Sequence, residues 1–268
     1  MCRLLPASRS GYTDCVTALP RHAQRPMSIW GGIQRVYDDH KGRLGSPRIA
    51  RELRNKGQRV GKNRIARLMH VNVLRAKAAR QYKATTHSAH NLPVALHLLN
   101  QDFSAKRLNQ KGVTDMTYLA TDEGWLYLAV VLDLYARKVA GWAMSERLTA
   151  KLTCDALRMA LWRCKRLQGV IVYSDRNSQY CAHDYRRLLR DNGLIARMSK
   201  KGDCYDNAAM ESWNHSLKVE AIHGERFSTR QDAKKQVFEY IEIYYNRKRL
   251  HSSLGYLSPE AFEQRHVA

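Results

Sequence analysis

The sequence lacks any apolar run near the length of about 20 residues that a membrane-spanning helix needs. Its N-terminus has no apolar segment typical of a signal peptide. The six cysteines form no CxxC pair, and no Cys/His spacing resembles a zinc finger. Internal repeats and low-complexity tracts are absent as well. We therefore expect no membrane span and no structural zinc, and we expect reduced cysteines in a cytoplasmic, nucleoid-associated protein.

Acidic residues are scarce, with 24 Asp and Glu against 46 Lys and Arg, which leaves a formal net charge of +22. The shortage is uneven, because residues 1–110 hold 21 basic and 5 acidic residues whereas residues 111–268 hold 25 and 19. A basic first part ahead of a nearly balanced second part indicates a DNA-binding module joined to a catalytic or packing module. Charge alone would also fit a ribosomal or membrane-surface protein.

Residues 46–74 carry the pattern of a helix–turn–helix. Ser46 is a suitable N-cap, Pro47 suits the first helical position, and Gly57 can end the first helix. The second helix would turn four polar or basic side chains outward, towards the major groove of DNA: Lys62, Asn63, Arg64 and Arg67. The alternative is a basic helical hairpin that only packs on a neighbouring element.

From residue 111 onward, the apolar residues alternate as in strands and then recur as in helices. An antiparallel meander is predicted from three strands: Met116–Thr121, Trp125–Leu134 and Lys138–Ser145. Helices near 151–165 and 183–192 should alternate with strands Val170–Ser174 and Leu194–Met198, and later helices should begin near Asn207 and Thr229. This order predicts an α/β fold with a ribonuclease-H-like mixed five-stranded sheet flanked by helices.

A small all-α helix–turn–helix region should precede this sheet. We divide the chain into a basic N-terminal region at 1–74, a linker at 75–108, and a core at 109–268 that ends in a C-terminal helical extension.

Three carboxylates stand at informative positions: Asp115 beside the first strand, Asp175 at the end of a strand, and Glu211 at the start of a helix. Oxygen ligands of this kind bind Mg²⁺ or Mn²⁺, and two such ions can cleave or join phosphodiesters. The spacing alone is not specific, since Asp175 could form a turn and Glu211 could be a solvated helical residue. Asp133 and Asp206 are rival acids, which we interpret as structural.

Basic residues near these acids are candidates for DNA contact. Lys218 follows Glu211 by seven residues, about 10.5 Å along one helical face, where it could hold a DNA phosphate. Asn207 lies one turn before Glu211 and could line the same face. Near the C-terminus, the run that contains Arg247 and Arg249 is the better candidate, because the aromatic stripe before it is typical of core packing.

Several ordered blocks of sequence resemble one known family. They are TDMTY at 114–118, GWLYLAV at 124–130, YSDRNSQY at 173–180, MSKKGDCYDNA at 198–208, Glu211-Ser, and RLHSSLGYLSP at 249–259. These blocks are similar to the second-reading-frame transposases of the bacterial insertion-sequence-three family. The resemblance covers nearly the whole chain, including GSPRI at 45–49 in the helix–turn–helix.

The resemblance implies a retroviral-integrase-like DDE core, in which Asp115, Asp175 and Glu211 hold two Mg²⁺ or Mn²⁺ ions when DNA is bound and Lys218 is a basic partner. It implies a transposase, a polynucleotidyl transferase that cleaves DNA at the terminal inverted repeats of its element and joins the freed 3′-hydroxyl to target DNA. The implied partners are DNA, further copies of this chain on DNA, and a first-frame protein fused by frameshifting.

Three positions depart from the family pattern: Gly112 where Trp is usual, Asn177 where Gly is usual, and Tyr173 where His is frequent. With an abrupt N-terminus, they leave open a catalytically decayed remnant that only binds DNA. A nuclease or resolvase on the same fold, without strand transfer, is the other alternative. The intact trio of acids favours an active enzyme.

Overall fold

The computed structural model of the chain describes residues 21–77, 105–164, 168–175, 177–198 and 208–267, with side chains described from residue 29 onward. The chain divides into two compact units, one within residues 1–83 and the other within residues 84–268. No helix in the described ranges is both long enough and apolar enough to cross a membrane. Our division of the chain at residues 74 and 108 stays a prediction.

The N-terminal unit contains α1 (Arg21–Asp39), α2 (Ser46–Asn55) and α3 (Lys62–Val71). Its apolar core includes Ile33, Leu44, Ile49, Leu53 and Ile65. Gly45 rather than Ser46 occupies the N-cap of α2, and no side chain caps that helix, so the N-cap prediction was wrong by one residue. Gly57 follows the end of α2 with a φ of +83°, a left-handed conformation that glycine adopts without a Cβ clash.

A five-stranded sheet forms the centre of the second unit, in the order β3-β2-β1-β4-β5. Its strands are β1 (Lys111–Thr121), β2 (Gly124–Asp133), β3 (Val139–Ser145), β4 (Ile171–Ser174) and β5 (Ile195–Met198). The first three strands are antiparallel, whereas β4 runs parallel to β1 and β5 runs parallel to β4. The mixed five-stranded sheet predicted from the sequence is confirmed.

β1 begins at Lys111, ahead of the predicted start at Met116, so Asp115 lies inside the strand and not before it. The segment is polar and does not alternate clearly, which hid it from the sequence pattern. Gly112 nevertheless pairs with Asp133 of β2 on one side and with Val172 of β4 on the other. Backbone hydrogen bonds to both neighbours therefore make this segment a strand, although the pattern of its side chains does not predict one.

Helices cover both faces of the sheet. One face carries α4 (Ala150–Arg163), the short α5 (Ser178–Cys181) and α6 (His183–Asp191). The other carries α7 (Ala208–Leu217), which continues into a π-helical turn (Lys218–Ile222), and α8 (Arg230–Phe238), which continues into a second π-helical segment (Glu239–Tyr245). A 3₁₀ turn (Ser252–Leu254) and α9 (Pro259–Val267) follow. The core on this second face includes Trp213, Leu217, Tyr240 and Ile241.

α4 packs closely on β3 because both elements present small residues at their contact. A Cβ atom added to Gly141 of β3 would lie 2.5 Å from the backbone nitrogen of Ala160 and nearer still to the backbone oxygen of Ala156. Both obstacles are helix backbone, which cannot rotate away as a side chain can. Glycine at 141 is therefore required by the distance between the helix and the strand.

We predict that Gly141→Ala lowers the free energy of unfolding by about 1–3 kcal/mol, the usual range for overpacking in a core. The measurement is the urea midpoint of the full chain. Gly112→Ala is the matched control in the same sheet, because its added Cβ would come no nearer than 3.6 Å, from the backbone oxygen of Leu132. Equal midpoints for the two variants would contradict the close contact of α4 with β3.

Candidate active site

The parallel pairing of β1 with β4 brings Asp115 and Asp175 to the same level of the sheet. Each paired residue of Lys111–Val113 lies opposite the β4 residue sixty positions later, and Asp175 is likewise sixty positions after Asp115. β4 ends at Ser174, so the two aspartates stand where the paired strands part. Crevices of this kind, at the carboxyl end of parallel strands, are where open α/β sheets bind ligands.

Asp115 is a mostly buried carboxylate with a raised pKa. Its pKa is raised from 3.8 to about 6, chiefly by burial and to a smaller extent by the negative charges of Asp175 and Glu211. The backbone N–H of Met116 donates to one carboxylate oxygen at 2.7 Å, and the Nδ2 of Asn214 donates to the other at 2.9 Å. These two hydrogen bonds lower the pKa of Asp115 but do not cancel the other effects. The three acids therefore act on one another electrostatically.

Asp175 is held by the residue two positions after it. The backbone N–H of Asn177 donates to one oxygen of Asp175 at 3.1 Å, and the side-chain amide donates to the other. Burial raises the pKa of Asp175, and these hydrogen bonds oppose the rise. Asn177 has a φ of −61°, a value that any residue can adopt. The position does not require glycine, and the asparagine side chain fixes the orientation of Asp175.

Glu211 lies in the first turn of α7, on the side of the helix that faces solvent. The opposite side of α7 is anchored in the core, where Met210, Trp213 and Leu217 are nearly inaccessible. Asn214 is one turn after Glu211, and its hydrogen bond to Asp115 connects α7 directly to β1. That bond places the helix of the glutamate next to the strand of the aspartate.

Asn214 is the residue of this site that the sequence reasoning missed. Its only signal was its spacing, since residues three apart on a helix are neighbours on one face. The prediction had looked for charged ligands and for phosphate-binding cations. A neutral amide that positions a carboxylate carries no comparable signature in the sequence.

The donor set suits a hard divalent cation, because it consists of carboxylate oxygens that already repel one another. Within the described ranges, however, no three Asp, Glu, His or Cys side chains are close enough together to hold one metal ion. In the structure Asp175 and Glu211 are thus near enough to Asp115 to affect its pKa, but the three carboxylates are not close enough together to bind one metal ion. The exposed Glu211 is the side chain with the most freedom to complete such a site.

Lys218 is exposed at the start of the π-helical turn that follows α7. Its Nζ lies 5.7 Å from the centroid of the Tyr118 ring on β1. Lys218 therefore stands beside the strand that carries Asp115, as a phosphate contact would require. Asn207, the other candidate on this face, lies outside the described residues.

Arg249 was predicted to contact DNA, and the structure contradicts that interpretation. Its side chain is 6% exposed and pairs with Glu220, which is 2% exposed, at 2.7 Å. The same guanidinium donates to Ser216 at 2.9 Å, and Tyr240 donates to Glu220 at 3.0 Å. A charge buried and paired in this way is part of the core. Arg247, by contrast, is 63% exposed and pairs with Glu260 at 3.4 Å, so its DNA contact stays a prediction.

The helix–turn–helix residues lie as the sequence suggested. Four candidate DNA-contacting side chains of α3 are exposed, namely Lys62, Asn63, Arg64 and Arg67. Ile65 and Met69 of the same helix are buried in the core of the N-terminal unit. The first turn of α3 contains no acidic residue. The exposed face of α3 is therefore free to meet a negatively charged partner.

Gly112, where the family usually has tryptophan, leaves no structural defect. A Cβ atom there would lie 3.6 Å from the nearest heavy atom, which is an ordinary contact. The glycine also keeps its place in the strand through its pairing with Asp133 and Val172. The backbone of β1 therefore leads up to Asp115 without distortion.

Comparison with known families agrees with this geometry. Two models described as "Integrase core domain" match residues 105–204 and 211–267, and one described as "HTH-like domain" matches residues 29–82. The chain is 49% identical over its full length to the transposase InsF of insertion sequence IS3A from Escherichia coli K12, covering 94% of that protein. This chain belongs to the insertion-sequence-three transposases. It is therefore a DDE-type polynucleotidyl transferase.

Two further similarities accompany the match to the insertion-sequence-three family. An uncharacterized 31 kDa protein of insertion element IS600 from Shigella sonnei is 45% identical, over 99% of this chain and 98% of that protein. Among solved structures, the HTLV-2 integrase catalytic core domain in complex with magnesium is 12% identical, with a TM-score of 0.43 over 61% of this chain and 99% of that chain.

We predict that Arg249→Met destabilises this transposase by about 3–5 kcal/mol, because it removes the guanidinium that neutralises the buried charge of Glu220. Unfolding in urea measures the effect. Arg247→Met is the matched control and should cost less than about 1 kcal/mol, as expected for an exposed ion pair. Normal stability combined with weaker DNA binding by Arg249→Met would restore the interpretation made from the sequence.

We also predict a pH-dependent effect of Asp115→Asn on stability in metal-free buffer. Because the folded-state pKa is raised to about 6, the folded protein keeps a proton that the unfolded chain has already released. The resulting stabilisation is complete below about pH 4 and is lost as the pH rises towards 6. At pH 7.5 the free energy of unfolding of Asp115→Asn should therefore be about 1–3 kcal/mol higher than that of the wild type.

Unfolding curves at several pH values measure this difference, which should fade below about pH 4. Asp184→Asn, which removes a carboxylate that is 72% exposed, controls for the loss of one negative charge. An Asp115→Asn variant that is less stable than the wild type at pH 7.5 would show that Asp115 is not a strained carboxylate.

Proposed function

We propose that this transposase cuts DNA at the ends of its insertion element and joins the freed 3′-hydroxyl to target DNA, with Asp115, Asp175 and Glu211 as its metal-binding acids. The observation that carries the proposal is the mutual electrostatic effect of these acids at the point where β1 and β4 part. A mostly buried carboxylate with two negative neighbours is unfavourable by itself, and a divalent cation relieves it.

Carboxylate oxygens on a strand and on an adjacent helix match the ligands that Mg²⁺ and Mn²⁺ prefer. When bound, two such ions stabilise charge on the attacking and the leaving oxygen of a phosphodiester. Met116 and Asn214 hold the two oxygens of Asp115, and Asn177 holds those of Asp175. The chain thus orients two of the three acids before substrate arrives, whereas the exposed Glu211 is left to adjust.

Lys218 is the residue we assign to the DNA backbone near the acids. Its ammonium group has no carboxylate partner within the described part of the chain, and it belongs to the segment that directly continues α7. A phosphate held there would direct the strand towards Asp115. We assign the same kind of contact to Arg247, which is also exposed and lies in the C-terminal extension.

The N-terminal unit is proposed to recognise the terminal inverted repeats. α3 presents Arg64 and Arg67 with Lys62 and Asn63 on an exposed face, a set that can contact both phosphates and base edges in a major groove. We further propose that several copies assemble on DNA, that a first-frame protein acts as a frameshift partner, and that the enzyme works at the nucleoid because its substrate is there.

We predict that Asp115→Asn, Asp175→Asn and Glu211→Gln each reduce strand cleavage and strand transfer by more than about 100-fold. The loss of a residue that merely supports a metal ligand costs 10- to 100-fold, and the loss of a ligand should exceed it. The assay follows joining of a labelled end-repeat duplex to target DNA in the presence of Mn²⁺. Asp184→Asn on α6 is the control carboxylate and should keep wild-type activity.

Each outcome of this assay distinguishes one function from another. Joined product from the wild type supports the transposase, and hydrolysis without joining would support a nuclease or resolvase. Binding without any cleavage would support a remnant. Wild-type joining by any of the three acid variants would remove that residue from the proposed site.

A further inference from the structure

β1 loses one of its two neighbours just before Asp115, where the candidate active site begins. β4 pairs only with Lys111–Val113, whereas β2 pairs with β1 as far as Thr121. Among the described strands, none pairs with the second edge of β1 between Asp115 and Thr121. Side chains on this part of β1 are therefore accessible from a direction that the rest of the strand does not offer.

Two large aromatic side chains lie on one face of the sheet at this part of β1 and β2. Tyr118 of β1 is 57% exposed and Trp125 of β2 is 51% exposed, and both belong to the few large hydrophobic residues at the surface of the described chain. Their ring centroids are 4.9 Å apart, with an interplanar angle of 83°. Trp125 lies opposite Ala120 in the ladder, so it is the diagonal neighbour of Tyr118 on the same face of the sheet.

The exposure of this pair is not explained by the sheet itself. Thr117 and Leu119, on either side of Tyr118, are 7% and 3% exposed, so this part of β1 has an inner face where aromatic rings would be protected. Tyr118 and Trp125 are on the other face and leave much of their ring surface in water. Clustered exposed aromatics of this kind are typical of a binding surface.

A cation completes the surface. The Nζ of Lys218 lies over the Tyr118 ring, 5.7 Å from its centroid. The other nearby cation, Arg230, donates to the backbone oxygen of Trp125 and is paired with Glu146 at 3.3 Å. Among the described residues near the two rings, Lys218 is thus a cation without a carboxylate partner. Two aromatic rings beside such a cation suit a nucleotide, whose base stacks while its phosphate meets the ammonium group.

The surface lies past the acids along both elements, but Tyr118 and Asp115 point to opposite faces of the sheet, because Asp115 shares its face with Thr117 and Leu119. Tyr118 is three residues after Asp115, which is about 10 Å along a strand. Lys218 is seven residues after Glu211, which is about 10.5 Å along a helix. Lys218 contacts the Tyr118 ring and belongs to the segment that continues α7, so it connects this surface to the helix that carries Glu211.

We propose that Tyr118 and Trp125 form a stacking platform for an unpaired base of the DNA substrate, with Lys218 holding the adjacent phosphate. The proposal rests on the transposase function, since it assigns this base to the DNA that is cut or joined. Stacking accepts any of the four bases, because each has an aromatic face. The platform therefore holds a DNA strand near the acids without reading its sequence.

The test uses the full chain and a short oligothymidine single strand in metal-free buffer. Tyr118→Ala and Trp125→Ala should each weaken its binding by about 5- to 100-fold, the range found for removal of one stacking residue. Tyr118→Phe and Trp125→Phe keep an aromatic face and should bind nearly as the wild type. Trp162→Ala, at a tryptophan that is 87% exposed on α4, is the matched control and should leave binding unchanged.

A second measurement is independent of any substitution. An oligonucleotide that carries 5-iodouracil should cross-link under light to Tyr118 or Trp125 of the wild-type chain, as identified by mass spectrometry of the peptides. Cross-links that avoid both residues overturn the platform even where an alanine variant fails to fold. Unchanged binding by the folded alanine variants overturns it as well.

Strand transfer by the wild type separates this proposal from the proposed function. An active wild type whose alanine variants bind and join normally retains the function and loses the platform. A wild type that cross-links at Tyr118 or Trp125 but joins no DNA retains the platform as a single-strand binding site and loses the proposed function.

Discussion

The burial of one negative charge, at Asp115, is the constraint to which the rest of the catalytic unit responds. Burial, together with the charges of two further acids, raises the pKa of this carboxyl to about 6. A carboxylate in this position needs fixed donors, which Met116 and Asn214 supply. It also needs a rigid backbone, and β1 provides one because both of its edges are paired just before Asp115 and its β2 edge is paired throughout. The central place of β1 in the sheet follows from this requirement.

The second requirement is that α7 stays in register with β1, because Glu211 and Asn214 are both on that helix. Apolar burial at Trp213 and Leu217 fixes the depth of α7. The buried pair of Glu220 and Arg249 fixes the turn that follows it, and Ser216 of α7 accepts a hydrogen bond from the same guanidinium. A buried ion pair contributes little net stability but strongly disfavours alternative packings that would separate its charges. The C-terminal extension therefore supports the geometry of the site from a distance.

Local sequence was sufficient to predict most of the strands, but it did not predict the start of β1 or the role of Arg249. The strands β2 and β3 followed from alternation, and the end of β4 at Ser174 followed from an apolar run closed by Asp175. The early start of β1 was missed because pairing with two neighbours, rather than its own side chains, makes that segment a strand. Arg249 was misread because a basic run gives no sign of a buried partner 29 residues earlier in the chain.

Exposure is the other property that the sequence could not supply. Tyr118 and Trp125 lie in strands whose apolar residues alternate, and in such strands an aromatic residue can be buried as readily as exposed. Only the short length of β4 shows that this edge is open. The same opening lets Lys218 reach the Tyr118 ring from the segment that follows α7. The lack of a partner for this edge of β1 among the described strands is thus a property of the fold, and no residue type in the sequence encodes it.

The charge distribution explains why the acids need such surroundings. A DNA phosphate that approaches Asp115, Asp175 and Glu211 meets negative charge, although the chain as a whole carries a net charge of +22. Attraction must therefore come from positions around the acids and not from the acids themselves. Lys218 beside α7 supplies it close to the site, and the exposed basic face of α3 supplies it in the separate N-terminal unit. Because exposed charges more than about 10 Å apart are largely screened at moderate salt, the placement of a phosphodiester at the acids has to come from cations close to β1.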